Sequence, residues 1–148
     1  MSSLNTSSEE SENMASQYYQ VQARLNEYNK RYQVYQNQFS LLSQYQKTLS
    51  DAFASLSEIE SKEPGEIVKI PLGSQVFLNV ALTDKTKQDI LYNVGSSFFI
   101  SKNSKDVKTS LRQKIEDVDK TLGSLQSEMK AIRSEMARFE QYLQQMSM

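Results

Sequence analysis

Two long stretches of the chain repeat apolar residues at alternating spacings of four and three. The first covers about residues 14–62 and the second lies within residues 103–148. This alternation is a 3.5-residue period, which places a narrow apolar seam along one side of an α-helix and calls for a partner helix. The first seam comprises Met14, Tyr18, Val21, Leu25, Tyr28, Tyr32, Tyr35, Phe39, Leu42, Leu49, Phe53 and Leu56, and the second comprises Leu111, Ile115, Val118, Leu122, Leu125, Met129, Ile132, Met136, Phe139, Leu143 and Met146.

Polar residues interrupt and end the first seam. Gln46 occupies a seam position between Leu42 and Leu49, where we expect it to fix the register of the helix pair at some cost in stability. Glu60 occupies the last seam position and is expected to lie in a fraying helix end. The segment Glu63-Pro64-Gly65 then ends the predicted helix, because proline disfavours a helical conformation in the residue before it.

A tyrosine-rich stretch lies within the first helix, between residues 28 and 46. Tyr28, Tyr32 and Tyr35 are seam residues, so we expect their rings to pack while their hydroxyl groups stay in water. Stacking on nucleic-acid bases is not expected, because no charged residue lies between Arg31 and Lys47.

The apolar period changes from 3.5 to 2 between the two helices. Apolar and β-branched residues form short runs that are separated by glycine and by polar residues, which predicts two β-hairpins over residues 66–101. Four short strands leave edges and an apolar face uncovered in a monomer, so we expect the chain to oligomerise through them. The predicted strands cover residues 66–70, 75–82, 90–94 and 97–101, with turns at 71–74 and 95–96 and a polar loop at 83–89.

The second helix is expected to begin near Asn103, which with Asp106 resembles a capping box. Its length is close to that of the first helix, and pairing Met14 with Met146 brings the two seams into one antiparallel register. The sequence therefore predicts an α+β fold. A long antiparallel two-helix coiled coil would carry two β-hairpins at its base and both chain termini at its tip.

The composition limits the functions open to the chain. It has 148 residues, 17 basic and 18 acidic, with no cysteine and no histidine, so we expect no disulfide, metal, cofactor or enzymatic activity. The balanced charge argues against a nucleic-acid partner. We expect a cytoplasmic protein without a membrane segment, because no apolar run approaches about 20 residues. Residues 1–13, rich in serine and acidic side chains, are predicted to form a disordered tail.

Methionines are concentrated near the expected tip. Met129, Met136, Met146 and Met148 lie in the last twenty residues, and Met14 faces them from the first helix. Methionine side chains are flexible and polarizable, so a surface rich in them adapts to varied apolar partners. The cluster is either such a contact surface or ordinary seam packing, and the periodicity does not decide between these two interpretations.

The hairpin segments carry a resemblance to a known family. Ile70–Phe77 resembles the strand–turn–strand segment of the alpha class of prefoldin subunits. Asp89–Ile100 resembles the second hairpin of that class, in which an aspartate, a Val-Gly turn and two aromatic residues recur. The likeness covers about residues 14–146; Asn93 departs from it, since an acidic residue is usual there.

The resemblance implies a function that the periodicity does not. Prefoldins are hexamers of two alpha and four beta subunits that assemble through a β-barrel base. They hold unfolded client proteins between their coiled-coil tips without using ATP, and pass them to a group II chaperonin. On this resemblance, the client-binding residues would be Met14, Tyr18, Met136, Phe139, Leu143 and Met146, and the subunit-interface residues would be Val76, Phe77, Leu78, Val80, Ile90, Tyr92, Phe98 and Ile100.

Two other classes of function remain open. A coiled-coil scaffold, or a prefoldin-like subunit of an assembly complex without general client binding, would share both the seams and the hairpins. Suppression of the aggregation of unrelated unfolded proteins separates that class from a chaperone. An enzyme is the third class. The only acid–base candidates are carboxylates on solvated helix faces, such as Glu116, Asp117 and Asp119, and a two-helix rod offers no obvious pocket for a substrate.

Overall fold

The computed structural model describes residues 2–147 and has two long helices flanking two small antiparallel hairpins. This confirms the predicted helix–hairpin–hairpin–helix order. Met148, one of the methionines predicted at the tip, lies outside the described residues. The elements are α1 (Ser2–Glu60), β1 (Ile67–Gly73), β2 (Val76–Ala81), β3 (Ile90–Gly95), β4 (Phe98–Lys102) and α2 (Ser104–Met146).

Helix α1 already includes the serine-rich N-terminal segment, which differs from the disordered tail predicted for residues 1–13. The hydroxyl groups of Thr6, Ser7 and Ser11 donate hydrogen bonds to carbonyls three residues earlier, at 3.2, 3.1 and 3.0 Å. No proline or glycine precedes Pro64, so nothing in the sequence breaks the helix before that point. A composition poor in apolar residues does not by itself prevent a helix from continuing outward from a packed one.

The chain divides into two compact units. The helical unit contains the described residues up to Ser43 and those from Lys120 onward, and the mixed unit contains residues 44–119. Within the helical unit the two helix segments run antiparallel, since Gln17 contacts Tyr142 while Tyr28, further along α1, contacts Phe139. The predicted antiparallel pairing is therefore confirmed within this unit.

The seam residues form the core, and they are buried most deeply in the mixed unit. Among the described residues of the helical unit, Ile132 is the only buried seam residue, and from Tyr18 to Met146 the other seam residues are half-buried. A two-helix interface is narrow, so most seam side chains keep one edge in water. The buried apolar residues of the mixed unit are the seam residues Leu49, Leu111 and Val118, together with Leu82 and Val107, which lie outside the two seams.

Each hairpin forms a separate two-stranded antiparallel sheet. Strand β1 continues through residues 71–73, where the sequence predicted a turn, and the turn follows at Ser74 and Gln75 with φ of 48° and 64°. Pro71 is tolerated in β1 because every strand of a two-stranded sheet is an edge strand. The second turn likewise lies slightly later than predicted, at Ser96-Ser97, after Gly95 with φ of 141°.

The start of α2 agrees with the sequence. The side-chain oxygen of Asn103 accepts a hydrogen bond from the backbone N–H of Asp106 at 2.8 Å, as an N-cap residue does. Within residues 2–147, neither helix contains a stretch apolar enough to span a membrane.

Candidate interaction surfaces

The hairpins leave most of their apolar side chains in water. Phe98 is 74% exposed and Leu91 is 70% exposed, although strand residues of this size are usually covered. The exposed apolar residues of the two hairpins, which we call the hairpin surface, are Ile67, Ile70, Leu72, Val76, Phe77, Leu78, Leu91, Val94, Phe98, Phe99 and Ile100.

Cross-strand register shows how hairpin 1, formed by β1 and β2, divides its apolar residues. Val68 lies opposite Val80, and Ile70 lies opposite Leu78, so all four side chains share one face. Val68 and Val80 are half-buried and, with Ile59 of α1, line a cavity of about 580 Å³. Ile70 and Leu78 are exposed. The same face thus packs on its own chain at one end and is open at the other.

Hairpin 2, formed by β3 and β4, is divided in a similar way. Tyr92 is half-buried, and the ammonium groups of Lys114 and Lys102 lie 4.9 and 5.5 Å from its ring centre. A hydrogen bond with Tyr92 raises the pKa of Lys114. Leu91 and Phe99 lie on the opposite face and are exposed.

The structure places the predicted interface residues in two groups. Val80, Ile90 and Tyr92 are half-buried on their own chain. The remaining predicted interface residues are exposed: Val76, Phe77, Leu78, Phe98 and Ile100.

Sequence reasoning missed several members of the hairpin surface because it selected mainly one face of each strand. A two-stranded sheet has two faces and two edges, so alternate residues on both faces are open unless another element covers them. The apolar character of these residues was the available signal. The missed residues are Ile67, Ile70, Leu72, Leu91, Val94 and Phe99.

A polar junction joins the end of α1 to the start of α2 in the mixed unit. The Glu60 carboxylate accepts hydrogen bonds from Ser104 Oγ at 2.7 Å and from Lys108 Nζ at 2.9 Å. The Glu60 carbonyl accepts another from Lys87 Nζ at 2.8 Å. The hydrogen bonds from Ser104 and then Lys108 lower the pKa of Glu60. The expectation that Glu60 lies in a fraying end is therefore wrong: it is the last residue of α1, but partners distant in sequence hold it.

Gln46 also connects the two helix segments of the mixed unit. Its side-chain amide donates a hydrogen bond to the Asp119 carboxylate. Gln46 is half-buried, so the polar seam position has a partner on the facing helix. That Gln46 fixes the register stays a prediction.

The seam tyrosines of the helical unit make polar contacts across to α2. The Tyr32 hydroxyl accepts a hydrogen bond from Arg133, and Tyr28 stacks on Phe139 with ring centres 5.7 Å apart. A hydrogen bond to the Glu128 carboxylate raises the pKa of Tyr35. Two of these hydroxyl groups therefore bond protein groups at exposed positions, in agreement with the expectation that the hydroxyls lie at the surface.

The predicted client-binding residues lie in the helical unit and are mostly seam residues. Met14 is 53% exposed, and it lines a cavity of about 300 Å³ with Tyr18, Tyr19 and Met146, as the predicted pairing of Met14 with Met146 requires. The residues that are half-buried are Tyr18, Met136, Phe139, Leu143 and Met146.

A larger groove lies beside these residues. It has a volume of about 560 Å³ and combines Val21, Phe139 and Tyr142 with charged Arg24 and Arg138. Tyr142 and Tyr19 are exposed aromatic residues that the list of candidate client residues had left out. The groove therefore brings aromatic side chains next to guanidinium groups.

Residues 2–147 contain no group of three or more acidic side chains arranged to hold a metal ion. The surfaces described above instead offer apolar contact.

Comparison with known proteins agrees with this architecture. Residues 28–147 match the prefoldin family model, described as Prefoldin subunit. The chain is 29% identical over 109 residues to Prefoldin subunit alpha 1 of Methanocaldococcus jannaschii, covering 74% of this chain and 72% of that protein.

A solved structure shows the same fold. The cryo-EM structure of filamentous PFD from M. jannaschii matches with a TM-score of 0.63 and 16% identity, covering 80% of this chain and 94% of that one. The family match covers most of the chain and includes both hairpins, and therefore the chain belongs to the prefoldin family.

Proposed function

We propose that this chain is the alpha-type subunit of a cytoplasmic holdase chaperone. Two copies would assemble with four beta-type prefoldin subunits through the hairpin surface. Their helical units would bind unfolded client proteins. The complex would work without ATP and would pass its clients to a group II chaperonin. Membership of the prefoldin family supports a chaperone-type function.

The exposure of the hairpin surface is the main support for the proposed assembly with other subunits. Burying one large apolar side chain is worth about 1.5–3 kcal/mol, and residues such as Phe98 and Leu91 leave most of that free energy unrealised in the single chain. Their strands also present unpaired backbone groups at the sheet edges. Pairing with strands of other subunits would satisfy both requirements at once.

The helical unit supports the client-binding step through weak, adaptable contacts. Met14 and Tyr19 are exposed, and the other candidate residues keep one edge in water. Each contact is small, so one subunit would bind an unfolded chain weakly. Several subunits acting together would raise the effective concentration of binding sites, while each could still release.

One observation favours the scaffold as a second candidate function. Tyr18, Met136, Phe139, Leu143 and Met146 are half-buried in the helix pair, so seam packing accounts for part of their apolar character. A scaffold would use the hairpin surface for assembly and would need no client contacts from the helical unit.

Aggregation assays separate the two functions. The assembled complex is added to a chemically unfolded model protein during dilution, and light scattering records its aggregation. A chaperone suppresses scattering at near-stoichiometric amounts, and a complex in which Met14→Ser and Tyr19→Ser are combined suppresses it less. No suppression by a fully assembled wild-type complex would contradict client binding and favour the scaffold.

A further inference from the structure

Within residues 90–102, hairpin 2 covers side chains only toward the end where its strands meet the loop 83–89 and α2: Ile90, Tyr92 and Lys102 are half-buried and the others are exposed. Ile90 and Lys102 face each other at that end, and both are half-buried. Phe98, at the turn, is exposed. The exposed part of the hairpin therefore depends for its orientation on contacts made by a few residues at its base.

Tyr92 is the residue of hairpin 2 that contacts α2. The ammonium groups of Lys114 of α2 and Lys102 of β4 lie 4.9 and 5.5 Å from the centre of its ring. The hydrogen bond with Tyr92 is the largest cause of the raised pKa of Lys114, and Tyr45 of α1 adds a smaller contribution. Lys114 is cationic at neutral pH, and its contact with Tyr92 links α2 to β3.

We propose that Lys114 is a positioning residue for subunit assembly. Through Tyr92, it holds hairpin 2 in the orientation that presents Leu91, Phe98 and Phe99 to a neighbouring subunit. This role rests on the proposed function. In it, Tyr92 contacts α2 of its own chain and does not contact the partner directly.

The physical reason is preorganisation. A two-stranded hairpin is at best marginally stable alone, so without an anchor hairpin 2 samples many orientations relative to α2. Binding a partner would then have to order it, and that ordering lowers affinity. The cation–π contact of an exposed lysine such as Lys114 is worth about a factor of two to five in an equilibrium constant.

The test uses the full-length chain and a purified beta-type prefoldin subunit. Lys114→Met removes the charge but keeps the length and flexibility of the side chain, whereas Lys114→Arg keeps the cation. Isothermal titration calorimetry gives the affinity of each variant for the partner. Amide hydrogen exchange of the free chain reports the order of residues 90–102.

We expect Lys114→Met to weaken partner binding about two- to fivefold and to accelerate exchange in hairpin 2, with no change in β1 and β2. Lys114→Arg should restore most of the affinity. A residue that merely stabilised α2 would instead lower its thermal unfolding midpoint, so circular dichroism is recorded for every variant. Lys120→Met is the matched control, since Lys120 is an exposed lysine of α2 in the helical unit.

The possible results separate the two proposals. Equal affinities of the wild-type chain and Lys114→Met for the partner would overturn the positioning role and leave the proposed function intact. Failure of the wild-type chain to bind any beta-type subunit would overturn the proposed function, and the positioning role with it. A matching loss in Lys120→Met would show a general effect of charge and would also overturn the positioning role.

Discussion

Single residues at the polar junction show how the mixed unit is held together. Glu60 receives hydrogen bonds from Ser104 and Lys108, which lie 44 and 48 residues away. Breaking such bonds to a charged group costs about 1–3 kcal/mol when the group is buried, and partial exposure reduces that cost. We expect Glu60→Gln to lower the free energy of unfolding by about 1 kcal/mol at pH 7, measured by urea denaturation.

The contribution of Glu60 should depend on pH. Its folded-state pKa lies below the ordinary value of 4.5, so the stabilisation is present above that value and is lost as the pH falls through the folded pKa. The difference in stability between the wild-type chain and Glu60→Gln should therefore shrink below about pH 4.5. Glu58→Gln, at an exposed carboxylate of the same helix end, is the control. A difference that stays constant down to pH 3 would contradict the assignment.

The junction also shows what periodicity leaves out at the residue scale. The heptad pattern correctly identified Leu111, Val118 and Ile132 as core residues, because burial on a helix follows directly from spacing. It placed Glu60 in a fraying end, since spacing along one helix says nothing about a polar partner on another. The hydrogen bonds of Tyr32 and Tyr35 were missed for the same reason.

At the scale of elements, the two units should respond differently to loss of seam side chains. Leu111 is buried in the mixed unit, whereas Leu125 is half-buried in the helical unit. We expect Leu111→Ala to destabilise by about 2–4 kcal/mol and Leu125→Ala by roughly half as much, because the cost grows with burial. Thermal unfolding followed by circular dichroism measures both. Equal losses would show that burial does not determine the stability of the two seams.

Hairpin exposure leads to a second prediction at this scale. Phe98→Asp should abolish partner binding but leave helix content and thermal stability unchanged, because the side chain is already in water. Leu4→Asp is a closely matched control: Leu4 is 75% exposed, against 74% for Phe98, but lies in α1 outside the hairpins. Size-exclusion chromatography with a beta-type subunit shows which variant assembles. Normal assembly of Phe98→Asp would exclude this residue from the interface.

Strand boundaries were predicted less well than strand identity. The alternation of apolar residues predicts two hairpins, and both exist, but it predicts a turn at Pro71 and Gly73, which β1 includes. In a two-stranded sheet proline removes no inter-strand hydrogen bond if its nitrogen faces outward, so it does not end the strand. For residues 2–13 the composition predicts disorder, but the structure continues α1 through them without a break.

At the scale of the whole molecule, assembly and client binding should be separable. Deleting residues 137–148 removes Phe139, Leu143 and Met146 from the helical unit but leaves the hairpin surface untouched. We expect the truncated chain to assemble normally and to suppress client aggregation at least several-fold less well. Deletion of residues 2–13, which contain no seam residue, is the control. Loss of assembly on removing 137–148 would place the interface elsewhere.

The central claim is that the exposed hairpin surface exists to join this chain to beta-type prefoldin subunits. The most direct test is the molar mass, by light scattering after size exclusion, of the chain alone and mixed with such a subunit. The account predicts a species with the mass of two copies of this chain and four of the partner, formed only in the mixture. A monomer or homodimer whose mass does not change when the partner is added would contradict it.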